Sequence, residues 1–296
     1  MRRDLIVGVL LLVLACGAWG QEFSVSYIEG DVQARSGSSW VTLSIGDRIS
    51  PQTALQLSGG ACVEIKWADS KIFLSQKGTY VLRDILTSFQ ALTSAGVKKA
   101  ISSTLSILLK GPERNQNDSL GARGANEAKV EDSGWVTSGA QVFLDTGKQY
   151  LESGQNKEAI EQFLLALDAA TDAESVQVQY YLAYAYSQSG DTRVALKHAA
   201  SLQPSSSDAW ASDFVILKAK LLIDSNAFAQ EIAWLTQKEH DLSTDAQRAS
   251  LYYFLLGVGY RGVGDASNEK ANLARVVAIS GESDLGKAAA LLLQNP

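Results

Sequence analysis

Gly147-Lys148-Gln149-Tyr150-Leu151-Glu152-Ser153-Gly154-Gln155-Asn156-Lys157-Glu158-Ala159-Ile160-Glu161-Gln162-Phe163-Leu164-Leu165-Ala166 decides the architecture of the C-terminal half. Leu144, Gly147 and Tyr150 recur at helical spacing, and so do Ala159, Phe163 and Ala166. Gly147, Ala159 and Ala166 are small where two helices must approach closely. Tyr150 and Phe163 are large enough to fill the grooves beside them. Gly154 can take the left-handed conformation that ends a helix, and Asn156 is placed to cap the next one. The stretch predicts two short helices packed as a hairpin.

Weaker copies follow. Leu182-Ala183-x2-Tyr186-x3-Gly190-Asp191-x3-Ala195 repeats the pattern, with a stronger stop-and-cap pair at Gly190-Asp191. A third copy keeps Ala219, Leu222 and Asn226, with Trp234 and Leu235 on its second helix. The fourth reads Leu256-Gly257-x2-Tyr260-x3-Gly264-Asp265, with Leu273 and Val276 behind it. Glu269 stands there where the first two copies carry alanine. Asp284 to Gln294 predicts one more helix that covers the end of the stack, and Ala288 to Leu293 within it is apolar almost all round.

Over residues 138–296 the chain resembles the tetratricopeptide repeat family. The copies are spaced by 36, 36 and 38 residues, longer than the family period, so lengthened turns are expected; Gln203-Pro204-Ser205-Ser206-Ser207 is one. The resemblance implies an all-α solenoid of about four repeats and a capping helix. It further implies that the first helices of successive hairpins line a concave wall that holds a protein or peptide. In this register the wall carries Gln141, Lys148 and Glu152, then Tyr180, Tyr184, Ser187 and Gln188, then Lys220 and Arg261. Tyr180 and Tyr184 are one turn apart, and either a peptide groove or packing on the preceding hairpin accounts for them.

The first twenty residues read differently. Met1-Arg2-Arg3 is basic, Leu5 to Ala15 is apolar, and Ala18-Trp19-Gly20 is a small-x-small cleavage signal. The apolar run is too short to span a bilayer. These features predict a signal peptide at 1–20 and an exported, periplasmic protein. Val13-Leu14-Ala15-Cys16 resembles a lipoprotein cleavage box, which makes Cys16 a candidate for lipidation and membrane anchoring. Cleavage after Gly20 leaves Cys62 as the sole cysteine, without an internal disulfide partner. The formal charge of −6 argues against nucleic acid or an anionic membrane surface as a general partner.

Residues 22–83 alternate apolar and polar side chains, as in Val25 and Tyr27, Val32 and Ala34, Val41 and Leu43, and Val63, Ile65 and Trp67. Turn signals at Gly30-Asp31, Gly46-Asp47, Gly59-Gly60, Asp69-Ser70 and Lys77-Gly78 divide them into about six short strands. Gly30-x-Val32, Trp40-x2-Leu43-x2-Gly46-Asp47 and Ala68-Asp69-Ser70 resemble the FecR-type periplasmic domain, which implies a small all-β unit associated with sensing or protein contact. Signalling members of that family carry a membrane helix and a cytoplasmic segment, and this chain shows neither. Trp40 and Trp67 are expected in the core of so small a domain, with exposed binding aromatics as the alternative. Cys62 is expected to be a small buried apolar residue.

Residues 84–110 carry Ile85, Phe89, Leu92, Ile101, Leu105 and Leu108 at near-helical spacing, which predicts a helix packed on the β-domain in preference to a membrane surface. Residues 111–137 are polar and glycine-bearing and read as a flexible linker. Chemistry is hard to find. His198 and His240 have no second ligand nearby, so neither a metal nor a cofactor is expected. Gly257-x-Gly259-x2-Gly262 imitates a dinucleotide loop inside a helical repeat, and Glu158 with Glu161 reads as a solvated face. The expectation is a non-enzymatic envelope adaptor that holds a protein or peptide partner. The alternative is a small-ligand-binding component of a transport system. The apolar end helix raises self-association, or docking on the β-domain, as further expectations.

Overall fold

A computed structural model describes residues 23–67, 70–94, 96–110, 138–205, 207–239 and 245–294. The expectations for the signal peptide, Cys16, His240 and the linker at 111–137 lie outside them. The chain divides into two units, with the boundary between Ala91 and Leu92.

The first unit is antiparallel β. Its strands are β1 (Phe23–Glu29), β2 (Val32–Ser36), β3 (Ser39–Thr42), β4 (Arg48–Ile49), β5 (Ala54–Leu57), β6 (Cys62–Trp67), β7 (Ser70–Leu74) and β8 (Gly78–Val81). They form two four-stranded sheets, ordered β4-β1-β6-β7 and β3-β2-β5-β8. Phe23, Val25, Val63, Ile65, Ile72 and Leu74 of one sheet share a core with Val32, Leu55 and Leu57 of the other. The period-2 pattern is the cause, since alternate residues of each strand point to one face. Gly30 turns the chain with φ +75, and a Cβ there would lie 2.9 Å from the Ala61 Cα, so the β1–β2 turn needs glycine twice over.

Trp67 stacks on Phe23 at 6.2 Å and packs against the core. Trp40 departs from expectation. It is 37% exposed on β3, an edge strand with all four residues exposed. Eight strands already fill the interior with aliphatic side chains, and β3 has no neighbour on its outer edge within the sheet. Cys62 is half-buried at the start of β6.

A helix, α1 (Leu82–Ser94), follows, with Ile85 and Leu86 packed on the β core. Gly96 then takes φ +70, and a second helix, α2 (Val97–Lys110), begins. Residues 84–110 are therefore two helices and not one. Val97, Ala100, Ile101 and Leu105 of α2 are core residues of the second unit, which corrects the expectation that the whole stretch packs on the β-domain.

The rest of the second unit is helical: α3 (Gly139–Glu152), α4 (Asn156–Ala169), α5 (Asp172–Gln188), α6 (Thr192–Ala199), α7 (Ala211–Asp224), α8 (Phe228–Thr236), α9 (Ala246–Gly262), α10 (Ala266–Ser280) and α11 (Asp284–Gln294). They pair as α3–α4, α5–α6, α7–α8 and α9–α10, and each second helix also packs on the next first helix. The first helices neighbour one another in series, from α3 through α5, α7 and α9 to α11.

Small residues set this spacing. A Cβ on Gly147 would enter the ring of the fully buried Phe163, and one on Gly257 would lie 2.7 Å from a Leu273 methyl. Gly154, Gly190 and Gly264 end α3, α5 and α9 in the left-handed region. Asn226 does the same work after α7 with φ 56, as the residue type that tolerates this conformation best after glycine. Thr171 and Glu174 form a capping box on α5, and the Ser138 hydroxyl, which caps α3, donates to Glu174 at 2.7 Å. Asn156 is the first residue of α4, whose N-cap is Gln155 without a side-chain bond.

Candidate functional site

The row of first helices is the surface on which the candidate residues lie, and the structure sorts them into three groups. Near the start of the row, Gln141 and Lys148 of α3 both donate to the exposed carboxylate of Asp145, at 2.9 and 3.2 Å. The Lys148 ammonium also sits 5.0 Å from the ring centroid of Tyr181 on α5, in a cation–π contact. Burial pushes the Tyr181 hydroxyl up to about 12, so it stays protonated throughout the physiological range. Glu152 is exposed on the last turn of α3. Asp145 and Tyr181 complete this polar patch, and sequence reasoning passed over both. Tyr181 lies one position beyond Tyr180, a step that moves a residue 100° around the helix.

Tyr180 and Tyr184 resolve toward the interior. Tyr180 is fully buried, stacked on Trp210 at 4.7 Å and edge-on to Phe214 at 6.4 Å. Its hydroxyl has no hydrogen-bond partner among the described residues, and burial raises its pKa well above the usual tyrosine value. Tyr184 is buried as well. These rings hold α5 to α7.

Of the remaining candidates, Ser187, Lys220 and Arg261 are tied by hydrogen bonds to neighbouring helices. The Lys220 ammonium donates to the Asp224 carboxylate at 2.6 Å and to the Ser187 hydroxyl at 3.0 Å, joining α7 to α5. Gln188 is half-buried, with its amide nitrogen enclosed. Arg261 donates from Nε to Glu269 at 2.6 Å and from a terminal nitrogen to the Leu292 carbonyl at 2.7 Å. Glu269 thus departs from the repeat pattern because it answers Arg261. A similar link was missed: Arg248 of α9 donates to Asp213 of α7 at 3.2 Å. Burial raises the Asp213 pKa and Arg248 opposes the shift.

Across the later part of this row lies α2. Its main neighbours are α7, α9 and α11. Val97 is 1% exposed, Ile101 2% and Leu105 0%, so one stripe of the helix is wholly covered. Ten residues of α7 are buried, which is why its apolar pattern runs all round. A cavity of about 360 Å³ remains where Ser103 and Thr104 face Ser250, Ile279, Ser280 and Leu285.

Other features carry structure. Gly259 and Gly262 lie inside α9, where added Cβ atoms would collide with Glu231 and with the Phe228 ring. His198 stacks parallel to Tyr186 at 5.6 Å, and burial, helped by Lys197, lowers its pKa. Among the described residues no cluster of histidine, cysteine and carboxylate side chains could hold a metal, and no helix is long and apolar enough to cross a membrane. No protein-family model matches the chain, and a search of curated proteins finds no match to it.

Proposed function

We propose that this chain is an exported, non-enzymatic adaptor. A tetratricopeptide-type solenoid holds a protein or peptide partner in the cell envelope, and a FecR-like domain accompanies it. The observation that carries the reading is α2 itself: the row of first helices already receives a helix of its own chain through an apolar stripe. A wall that holds one amphipathic helix has the shape and polarity to hold peptide segments. The mixed patch of Gln141, Asp145, Lys148 and Tyr181 adds donors, an acceptor and an aromatic face at the other end of the row.

Photo-crosslinkers placed at Lys148 and Tyr181 in cells test this. The expected result is one protein captured at both positions, in the envelope fraction. Cross-links to lipid alone, or recovery of the chain only from the cytosol, would reject the reading. A second reading, a small-ligand-binding component of a transport system, draws on the cavity beside Ser250 and Ser280, whose volume suits a small molecule. It predicts a co-purifying mass in native mass spectrometry and a ligand-dependent rise in melting temperature.

A further inference from the structure

We propose that the wall formed by α7, α9 and α11 is a docking groove for a partner's amphipathic helix, with α2 as its replaceable resident. The proposal rests on the adaptor reading and names the class of partner. The resident contributes Val97, Ala100, Ile101 and Leu105, a stripe with the spacing of one helix face. Among its described residues the buried side chains are apolar except for Thr104. The hydroxyls of Ser103 and Thr104 turn back to the Ala100 carbonyl of their own helix, at 3.1 and 2.8 Å.

The ion pairs of the wall are likewise made without the resident, and the one wall nitrogen buried without a partner among the described residues, Arg248 Nε, gains none from α2. Lys220 is bonded to Asp224 and Ser187, Asp213 to Arg248, and Arg261 to Glu269 and the Leu292 carbonyl. Removing α2 therefore exposes apolar surface and leaves these ion pairs in place. Exchange of one apolar helix for another meets no polar penalty.

The fit is also incomplete. The cavity of about 360 Å³ opens where Ser103 and Thr104 meet Ser250, Ile279, Ser280 and Leu285. The Ser250 and Ser280 hydroxyls bond each other, which leaves Ile279 and Leu285 as the apolar wall, while Gln247, Ser283 and Asp284 form an exposed polar rim. A helix with larger aliphatic side chains at the positions of Ser103 and Thr104 would fill space that the resident leaves empty. Burial of each added methylene strengthens association about fourfold, so two leucines in place of serine and threonine strengthen docking at least tenfold.

The test uses the full chain and two labelled peptides. One peptide has the sequence of residues 97–110; the other carries Ser103→Leu and Thr104→Leu. Ile101→Asp with Leu105→Asp in the chain frees the groove. The expected result is saturable binding of both peptides to this variant, at least tenfold tighter for the leucine peptide, and weak binding of either to the wild type. Equal affinities, or no binding by a variant that keeps its helicity, would overturn the proposal. Should the variant unfold, hydrogen exchange on the wild-type chain decides: excess leucine peptide speeds exchange across 97–110 if the proposal holds, and unchanged exchange overturns it. A dimer that exchanges α2 between copies, or a small molecule resident in the cavity by native mass, would also overturn it. Peptide displacement of α2 without a captured protein in cells would reject the adaptor reading and leave the groove standing.

Discussion

Glu231 is the most exposed of these residues to a simple test, because it is the least exposed to water. It lies on α8, fully buried, and neither carboxyl oxygen has a hydrogen-bond partner among the described residues. Burial raises its pKa well above the ordinary 4.5, so the folded chain keeps this proton to higher pH than the unfolded chain does. In the unfolded chain it ionises near 4.5, and above that pH the folded state binds the extra proton. The contribution is therefore fully present below about pH 4.5 and declines as pH rises toward the folded pKa. One such group sets a limiting slope of about 1.4 kcal/mol per pH unit. Glu231→Gln should flatten this decline, read as urea midpoints across a pH series; an unchanged slope would mean that the carboxyl finds water or a counter-charge. Nothing local warns of this residue, since a glutamate in a second helix reads as solvated until Gly259 is seen to make room for it. Tyr180 illustrates the converse. Its helical position was legible, but whether its ring met solvent depended on Trp210, thirty residues away and outside the repeat pattern.

Helices and their ends were the most legible layer. The glycines that stop α3, α5 and α9 are spaced as the repeats are, and Asn226 marks the same point in the worn third copy. Local chemistry decides such positions, so a single sequence carries them. The third hairpin nevertheless looked degenerate, because α7 is covered on nearly every side and an all-round apolar helix has no face to detect. The end helix reads as apolar all round for a related reason, though Leu291 stays 45% exposed. Its apolar residues Leu285, Ala288, Ala289 and Leu292 are buried within the unit. Arg261 fastens it, spanning Glu269 on α10 and the Leu292 carbonyl on α11, both in largely buried surroundings. Arg261→Ala should lower stability by about 1.5–3 kcal/mol, the range for hydrogen bonds to a charged group. It should also speed hydrogen exchange in α11 before the rest of the unit. Uniform loss of protection across the unit would show that α11 does not open separately.

Order along the chain, β first and helices after, could be read from periodicity alone, because alternation by two and by 3.6 are distinct signals. Which surface a helix chooses could not. The stripe of Val97, Ala100, Ile101 and Leu105 says that α2 has one apolar face, and that face would suit any apolar surface offered to it. The surface it meets is built from α7, α9 and α11, more than a hundred residues later. No local pattern encodes a fit that depends on how three distant helices assemble. The functional consequence is that the helical unit begins at Leu92 and not at Ser138. A fragment spanning 92–296 should therefore unfold in one cooperative transition. A fragment spanning 138–296 lacks the covering helix and should lose stability by at least about 3 kcal/mol, since full burial of a single aliphatic side chain contributes roughly 1.5–3 kcal/mol and α2 buries three large ones. It should also bind a hydrophobic dye that the longer fragment excludes. Equal urea midpoints and equal dye binding would show that α2 rests on the row without holding it, and the wall would then be open to partners with no competitor to displace.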